Sequence, residues 1–355
     1  MNIAGRQIGP NEPPYIIAEI SCNHGGSPKR AHKLLEAAKA CGADAVKFQA
    51  VEPQKITIDC DRPEFTIADG PWKGQNLFKL YSKTKTPFAW FPELKQHAEH
   101  IGITWLASVF DKTAVDLMVE LDAPAIKIAS FEIVDTALIQ YAAATGKPLI
   151  ISTGMASYAE VSAAIKAIGP YKFQEHALLH CVSSYPTPVD QANLLRVKYG
   201  IRHGFVDGIS DHSVGPVVPI AAVACGAHII EKHFQLSYFP DTEDTPFSLD
   251  EIDFTHMVRH VKDTWAAMQP APIEVENSSR PLRRSLFAVA DIPKGARFTE
   301  NNIRSIRPGH GVTPAALPQF LGQRSSREIR RGEPLNFDMI HVSESMIEAA
   351  RKLPQ

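Results

Sequence analysis

Short apolar runs recur along the first two-thirds of the chain, and most end in or lead to polar residues that a buried strand has no packing use for. The runs are Ile16–Ile20, Ala45–Gln49, Ile103–Ser108, Ala125–Ser130, Leu149–Ser152, Leu178–Cys181, Phe205–Ile209 and His228–Ile230. Each is short and apolar enough for a strand buried on both faces. Segments of helical character lie between most of them, such as Pro28–Cys41, Lys112–Leu121, Tyr158–Ile168 and the small-residue stretch Pro219–Cys225. Eight β-α units over roughly 250 residues predict a (β/α)8 TIM barrel, whose reactive groups sit at the carboxyl ends of the strands. An open, doubly wound sheet also alternates strand and helix, but it gathers its polar residues at one crevice. Here nearly every strand end carries one.

Those polar ends define the candidate chemistry. The first run holds Glu19, and the second holds Lys47 and Gln49. Ser108 ends the third, Lys127 and Ser130 belong to the fourth with Glu132 just beyond, and Ser152 ends the fifth. The sixth leads to Ser183 and Tyr185, the seventh to Ser210-Asp211-His212, and the eighth to Glu231-Lys232-His233. A lysine inside an apolar strand is costly unless it is paired or liganded. Lys47 and Lys127 are therefore read as anion-binding groups, the bland alternative being ion pairs with Asp44 or Glu132. For the strand-end serines, capping of the following helix is an equal alternative. His212 and His233, at one level of neighbouring parallel strands, are placed to close on one divalent metal.

The chain changes character near Met268. Residues 1–268 are assigned to the barrel and the Pro- and Ser-rich residues 269–281 to a linker. Residues 282–342 are read as a small β-rich domain, from strand-like SLFAVA, a PKG turn and the TENNI capping signal. Residues 343–355 form the tail, helical from Glu344. Glu52–Pro92 reads as irregular and too long for an ordinary barrel loop, which suggests a lid or binding loop. Its Trp72, Tyr81 and Trp90 fit either a substrate or plain packing on the barrel rim.

Composition narrows the class. The 355 residues are 44% hydrophobic, enough for a large core and more than one domain. A formal net charge of -2 gives no electrostatic case for nucleic acid or an acidic membrane. No apolar run is long enough to span a bilayer and no basic-apolar leader opens the chain, so a cytoplasmic protein is expected. The five cysteines are scattered and form no CxxC, which reads as reduced thiols without a zinc-cysteine site.

The run IIAEISCNHGGSPKRAHKLLEAAKACGADAVKFQ resembles the amino-terminal signature of sialic acid synthases. KIASFEIVD, ISTGM, HCVSSYPTP, GISDHSVG and IEKHF continue the pattern in order, and RRSLFAVADIPKGARFTENNI with IRPGHGV resembles the antifreeze-like (SAF) domain of those enzymes. Within the family, GPWKGQNLFKLYSKTKTPFAW and DTEDTPFSLDEIDF look most like the pseudaminic acid synthase branch, with N-acetylneuraminate and legionaminic acid synthases as the alternative. A non-catalytic carbohydrate-binding barrel is the remote one, and it predicts missing site residues. LASVFDKTAVD departs from the SSPFD of many relatives, with Ala107 and Val109 replacing serine and proline, and Ser183 stands where neuraminate synthases often have asparagine.

The resemblance implies a condensation of phosphoenolpyruvate with a 2-acetamido aldose in its open-chain form. The enol carbon attacks the aldehyde, water adds at carbon two, and phosphate leaves a nine-carbon 2-keto sugar acid. It implies Lys47, Lys127, Ser108, Ser130, Ser152, Ser183 and Ser210 around phosphoenolpyruvate, and Glu19 and Glu132 as acid/base groups. Asn23, His24, Gln49, Phe110, Tyr185 and Asp244 are expected at the sugar, the alternative for His24 being a rim histidine hydrogen-bonded to the backbone. His212 and His233 are expected on the metal, Mn2+ or Mg2+ with Co2+ as a further option. Arg307, in IRPGHG, is expected to reach the sugar's N-acyl group from the SAF domain of a partner subunit, in a domain-swapped homodimer.

Overall fold

The computed structural model describes residues 1–169, 175–202 and 207–341. It contains one compact unit over Met1–Gln269 and a second that begins at Pro270. In the first, eight parallel strands close a barrel: β1 Tyr15–Glu19, β2 Ala45–Ala50, β3 Thr104–Val109, β4 Ile126–Ile128, β5 Leu149–Ser152, β6 His176–His180, β7 Gly208–Asp211 and β8 Ile229–His233. β8 pairs with β1 in parallel, which leaves the barrel sheet without an edge. Among the helices between the strands are α1 Pro28–Ala40, α2 Leu77–Thr84, α3 Phe91–Ile101, α4 Lys112–Glu120, α5 Thr136–Ala143, α6 Tyr158–Ile168, α7 Leu194–Arg202 and α8 Val217–Ala224. Helix α9, Glu251–Ala267, follows the last strand.

Strand alternation sorts the side chains into two cores. Helix-facing residues such as Ile16, Ala18, Val46, Phe48, Ile126, Ile209 and Ile230 pack against the helices. Lumen-facing residues from the starts of the strands, among them Tyr15, Ile17, Ala45, Leu106, Ala125, Ile150 and Ile229, fill the barrel floor. Ile3 and Ile8 of an amino-terminal hairpin join that cluster and close the end at which the strands begin. Above the floor the same lumen-facing ladder continues as Glu19, Lys47, Ser108, Lys127, Ser152, Ser210 and Glu231, all buried. The fold thus delivers one polar layer on top of an apolar one.

The structure differs from the sequence expectation in three places. β8 runs on through Glu231 and His233, and β7 includes Ser210 and Asp211. Polar side chains facing a closed lumen are as deeply buried as apolar ones, so the apolar pattern stops before the strand does. Phe205, the expected start of the seventh strand, lies outside the described residues. The stretch 52–92, read as irregular, holds α2, with Asn76 capping it through the Lys79 backbone N–H, and single turns at Pro53–Ile56, Pro63–Phe65 and Phe88–Trp90. The segment read as a linker contains a short helix, Ile273–Asn277.

In the second unit β9 Ser285–Ala288 and β10 Ile303–Ile306 pair antiparallel, and Leu286, Phe298, Ile303, Phe320, Ile329 and Leu335 form its own small core. The expected helical tail lies outside the described residues. All five cysteines are free thiols. No helix among the described residues is long and apolar enough to cross a membrane.

Candidate active site

The polar layer opens into a cavity of about 590 Å³ at the carboxyl ends of the strands, lined from β1 round to β8 and by residues 51–84. Its floor is an ion cluster. Lys47 Nζ lies 2.7 Å from Glu19 Oε2 and 3.4 Å from Glu231 Oε1, and it donates to Ser108 Oγ at 2.9 Å. Lys127 Nζ donates to Ser152 Oγ at 2.7 Å and lies 3.7 Å from Glu231 Oε2. Ser210 Oγ donates to Glu231 Oε1 at 2.8 Å. Ser108 and Ser152 accept from the lysines and so keep their own O–H groups to donate to a ligand.

The charges respond to this arrangement in different directions. Burial opposes the charge of Lys47, but Glu19 and Glu231 outweigh it and raise its pKa. Burial also opposes the charge of Lys127; Glu231 compensates only in part, the nearby Lys47 adds repulsion, and the net shift is downward. Burial likewise opposes the Glu231 carboxylate, yet Lys127 and Lys47 hold it well below the usual range. Lys127 is therefore the less compensated cation, and an incoming anion beside it gains most.

The ion pairs with Asp44 and Glu132 that the sequence offered as the bland alternative do not form; Lys47 pairs with Glu19 and Glu231 instead. Asp44 is taken by Arg6 and by the backbone N–H of Ile16 at 2.8 Å. Glu132, on the cavity wall, makes no ion pair with Lys127; its Oε2 is buried without a hydrogen-bond partner. Burial carries its pKa up to about 7.

His212 and His233 meet across β7 and β8, ring centroids 5.5 Å apart and edge to face. His212 Nδ1 lies 3.0 Å from the Val182 carbonyl oxygen, which only accepts, so Nδ1 carries the proton and Nε2 the lone pair. Burial and the neighbouring His233 lower the His212 pKa to about 4, which keeps the ring neutral near pH 7. His233 Nδ1 faces the Asp244 carboxylate, 3.3 Å from Oδ2, without hydrogen-bond alignment. An imidazole whose Nδ1 is held by protein and whose Nε2 is open is the usual form of a metal-binding histidine; His212 has it, and His233 Nδ1 has the Asp244 carboxylate beside it. The two residues thus fit a divalent ion. Among the described residues no group of three or more His, Cys, Asp and Glu side chains is arranged to hold an ion, so a two-histidine site leaves the remaining positions to substrate and water.

Of the other expected residues, Gln49, Phe110, Ser130, Ser183, Tyr185 and Asp244 line the cavity. Gln49 donates to Glu19 Oε1 at 3.0 Å, and the Ser130 and Ser183 hydroxyls are 2.9 Å apart. Gly154, at φ +49°, allows that pairing, since a Cβ there would meet Ser130 Cβ at 2.5 Å and Ser183 Oγ at 2.8 Å. Asp244 is committed to His233, so its geometry is that of a group orienting a ring. Asn23 and His24 correct the sequence reading, because neither lines the cavity. The Asn23 amide donates to Phe234 O and Ser248 Oγ, at 2.9 and 2.8 Å. His24 bonds Thr86 Oγ1 at 3.0 Å and the Gly26 backbone N–H, and packs against Trp90. Both brace the loop after β1. Trp72 and Tyr81 do reach the cavity, and Trp72 packs against Tyr185. Arg307 is exposed on the second unit.

Glu231 is the site residue that sequence reasoning missed. It was legible as a carboxylate in an apolar strand two positions before His233, on the same face.

Comparison with known proteins agrees with the geometry. The model of the NeuB family matches residues 34–271, and that of the SAF domain residues 283–341. The chain is 39% identical to the pseudaminic acid synthase of Helicobacter pylori over 94% of its own length and 99% of that protein's. It is 30% identical to the N,N'-diacetyllegionaminic acid synthase of Legionella pneumophila, over 92% and 95%. Among solved structures, the spore coat polysaccharide biosynthesis protein spsE of Bacillus subtilis superposes with a TM-score of 0.65 at 30% identity, covering 97% of this chain and 99% of that one. The N-acetylneuraminic acid synthetase of Leptospira borgpetersenii gives 0.69 at 28% identity, over 79% and 95%.

Proposed function

The chain belongs to the NeuB family, and on that premise we propose that it is a pseudaminic acid synthase. It condenses phosphoenolpyruvate with the open-chain aldehyde of a 2,4-diacetamido-2,4,6-trideoxy-hexose, giving a nine-carbon 2-keto sugar acid and phosphate. The observation that carries this reading is the pair Lys47 and Lys127, buried side by side in the lumen with Glu231 between them and hydroxyls around them. A phosphorylated carboxylic acid is an anion that such a floor recognises. The identity of the sugar rests on the relatives.

Each residue then has a task. Lys127, with the O–H groups of Ser152, Ser130 and Ser183, binds and orients phosphoenolpyruvate, while Lys47 and Ser108 hold its other anionic end. Glu19, bonded to Lys47 and Gln49, sits in the same layer and fixes the lysine in place. Glu132, with a pKa near 7, exchanges a proton at the wall during water addition or aldehyde protonation. His212 and His233 would hold a divalent ion, manganese or magnesium given the small protein ligand set, which when bound would supply Lewis-acid polarisation of the aldehyde oxygen. Phe110, Tyr185 and Trp72 wall the space left for the sugar. A domain-swapped homodimer, with Arg307 of one subunit at the sugar of the other, belongs to the same reading, as does a cytoplasmic location; sedimentation of the full chain tests the dimer.

The deciding experiment is phosphate release from phosphoenolpyruvate with manganese and a panel of N-acylated aldoses. The reading expects turnover with the diacetamido trideoxy sugar well above that with N-acetylmannosamine. Equal or greater release with N-acetylmannosamine rejects the sugar, and release with none rejects the reaction.

A further inference from the structure

Asp211 and Lys232 are register partners on β7 and β8, one residue before His212 and His233 respectively. By alternation they face the helix layer, where their strand neighbours Ile209 and Ile230 are core. Their side chains are 3% and 0% exposed, and Lys232 Nζ lies 2.6 Å from Asp211 Oδ2. The ammonium also donates to the carbonyl oxygen of Ser213. Asp211 in turn accepts from the Ser213 backbone N–H at 3.1 Å and its hydroxyl at 2.9 Å. The residues on both sides of His212 are thus tied to the residue that precedes His233. The His212 carbonyl is pinned as well, accepting from the Thr187 backbone N–H at 2.9 Å.

An ion pair in an otherwise apolar layer gives no net stability over a well-packed apolar pair. What it does give is geometry, because a bonded ammonium permits far less strand slippage than methyl groups. We propose that Lys232, through Asp211 and Ser213, is a positioning residue that sets the spacing of the His212 and His233 rings for the divalent ion. This inference rests on the reading that those two rings hold an ion.

The test uses the full-length protein freed of metal, titrated with Mn2+ alone and followed by the loss of the free-ion electron paramagnetic resonance signal. The double variant Lys232→Met/Asp211→Leu exchanges the ion pair for an apolar one, and Asp211→Asn is a milder, isosteric change. The expected result is Mn2+ affinity weakened about 10- to 100-fold in the double variant and less in Asp211→Asn, as for other partners of metal-orienting groups. Phosphoenolpyruvate affinity without metal and the melting temperature of the double variant stay near wild type. Wild-type Mn2+ affinity in both variants overturns the proposal. If the double variant does not fold, Asp211→Asn alone decides, by the same two outcomes. Wild-type protein that binds no Mn2+, or binds it unchanged after His212→Ala, instead defeats the reading of the two histidines and takes this proposal with it.

Discussion

Lys47 and Glu19 are register partners on adjacent strands, and their charged atoms meet at 2.7 Å with side chains only 4% and 1% exposed. Removing one member strands the other. Lys47→Met leaves Glu19 without its cation and Glu231 with one cation in place of two, and breaking a buried pair from one side costs about 3–5 kcal/mol. The expected outcome is an unfolding free energy lower by that amount, read in urea as a lower midpoint at unchanged slope, with partial recovery in the double variant Lys47→Met/Glu19→Gln. A single-variant loss below about 1 kcal/mol is the figure for a solvated surface pair and would contradict the buried geometry.

Glu132 makes stability and activity depend on pH near neutrality. Its carboxyl has a folded pKa of about 7 against an ordinary value of 4.5. Between those values the folded chain keeps a proton that the unfolded chain releases, so stability falls as pH rises and is lowest above the folded pKa. The upper limit of the loss is about 3 kcal/mol. Glu132→Gln never ionises, so it gains up to that amount over wild type at high pH and nothing at low pH. Denaturant titrations across the range check this. The same variant is expected to lose about 10²- to 10⁴-fold in kcat and the inflection near pH 7 in its rate profile.

Much of this was readable from residue patterns, and the failures have a physical cause. Eight apolar runs gave the barrel, and the lumen-facing positions of Glu19, Lys47, Lys127, His212 and His233 followed from strands ending in polar residues. Glu231 escaped because a buried carboxylate between two lysines looks, in sequence, like the polar end of a strand. The alternative partners weighed for Lys47 and Lys127, Asp44 and Glu132, are near in sequence, whereas the carboxylate they share, Glu231, comes from β8 across the closed barrel, 184 and 104 positions away, which no local pattern encodes. Asn23 and His24 admit two readings because a short polar motif after a strand serves loop bracing as well as ligand binding. Their hydrogen bonds decide between the two, through partners as distant as Ser248.

Metal dependence should separate from anion binding. The lysine floor and the histidine pair use different side chains, so stripping divalent ions with a chelator is expected to abolish turnover while phosphoenolpyruvate still binds. Added manganese or magnesium should restore activity to wild type but not to His212→Ala or His233→Ala. Loss of a direct ligand is expected to exceed the 10- to 100-fold typical of its supporting partners. Calorimetry with phosphoenolpyruvate alone and with Mn2+ alone distinguishes the two effects. A variant that loses both affinities equally points to misfolding.

Gly208 offers a test of how closely β7 and β8 must approach. It is the register partner of Ile229, and a Cβ at 208 would run into the Ile229 carbonyl oxygen, with the carbonyl carbon and Cβ of Ile229 both only 2.8 Å away. The obstacle is backbone, so no rotamer change relieves it and the strands must part. Overpacking of this kind costs about 1–3 kcal/mol or more, which lowers the melting temperature by roughly 2–12 °C for a unit of this size. Parting β7 from β8 also moves His212 relative to His233 and Ser210 relative to Glu231, so Gly208→Ala should weaken Mn2+ binding most, with a smaller loss of phosphoenolpyruvate affinity because Lys47 and Lys127 sit on β2 and β4. Gly9→Ala is the matching control: a Cβ there meets nothing within 4 Å, and the change is expected to be neutral or slightly stabilising through the unfolded chain. Equal behaviour of the two variants would mean that β7 and β8 have room to spare, and the tight register that aligns the histidines would be wrong.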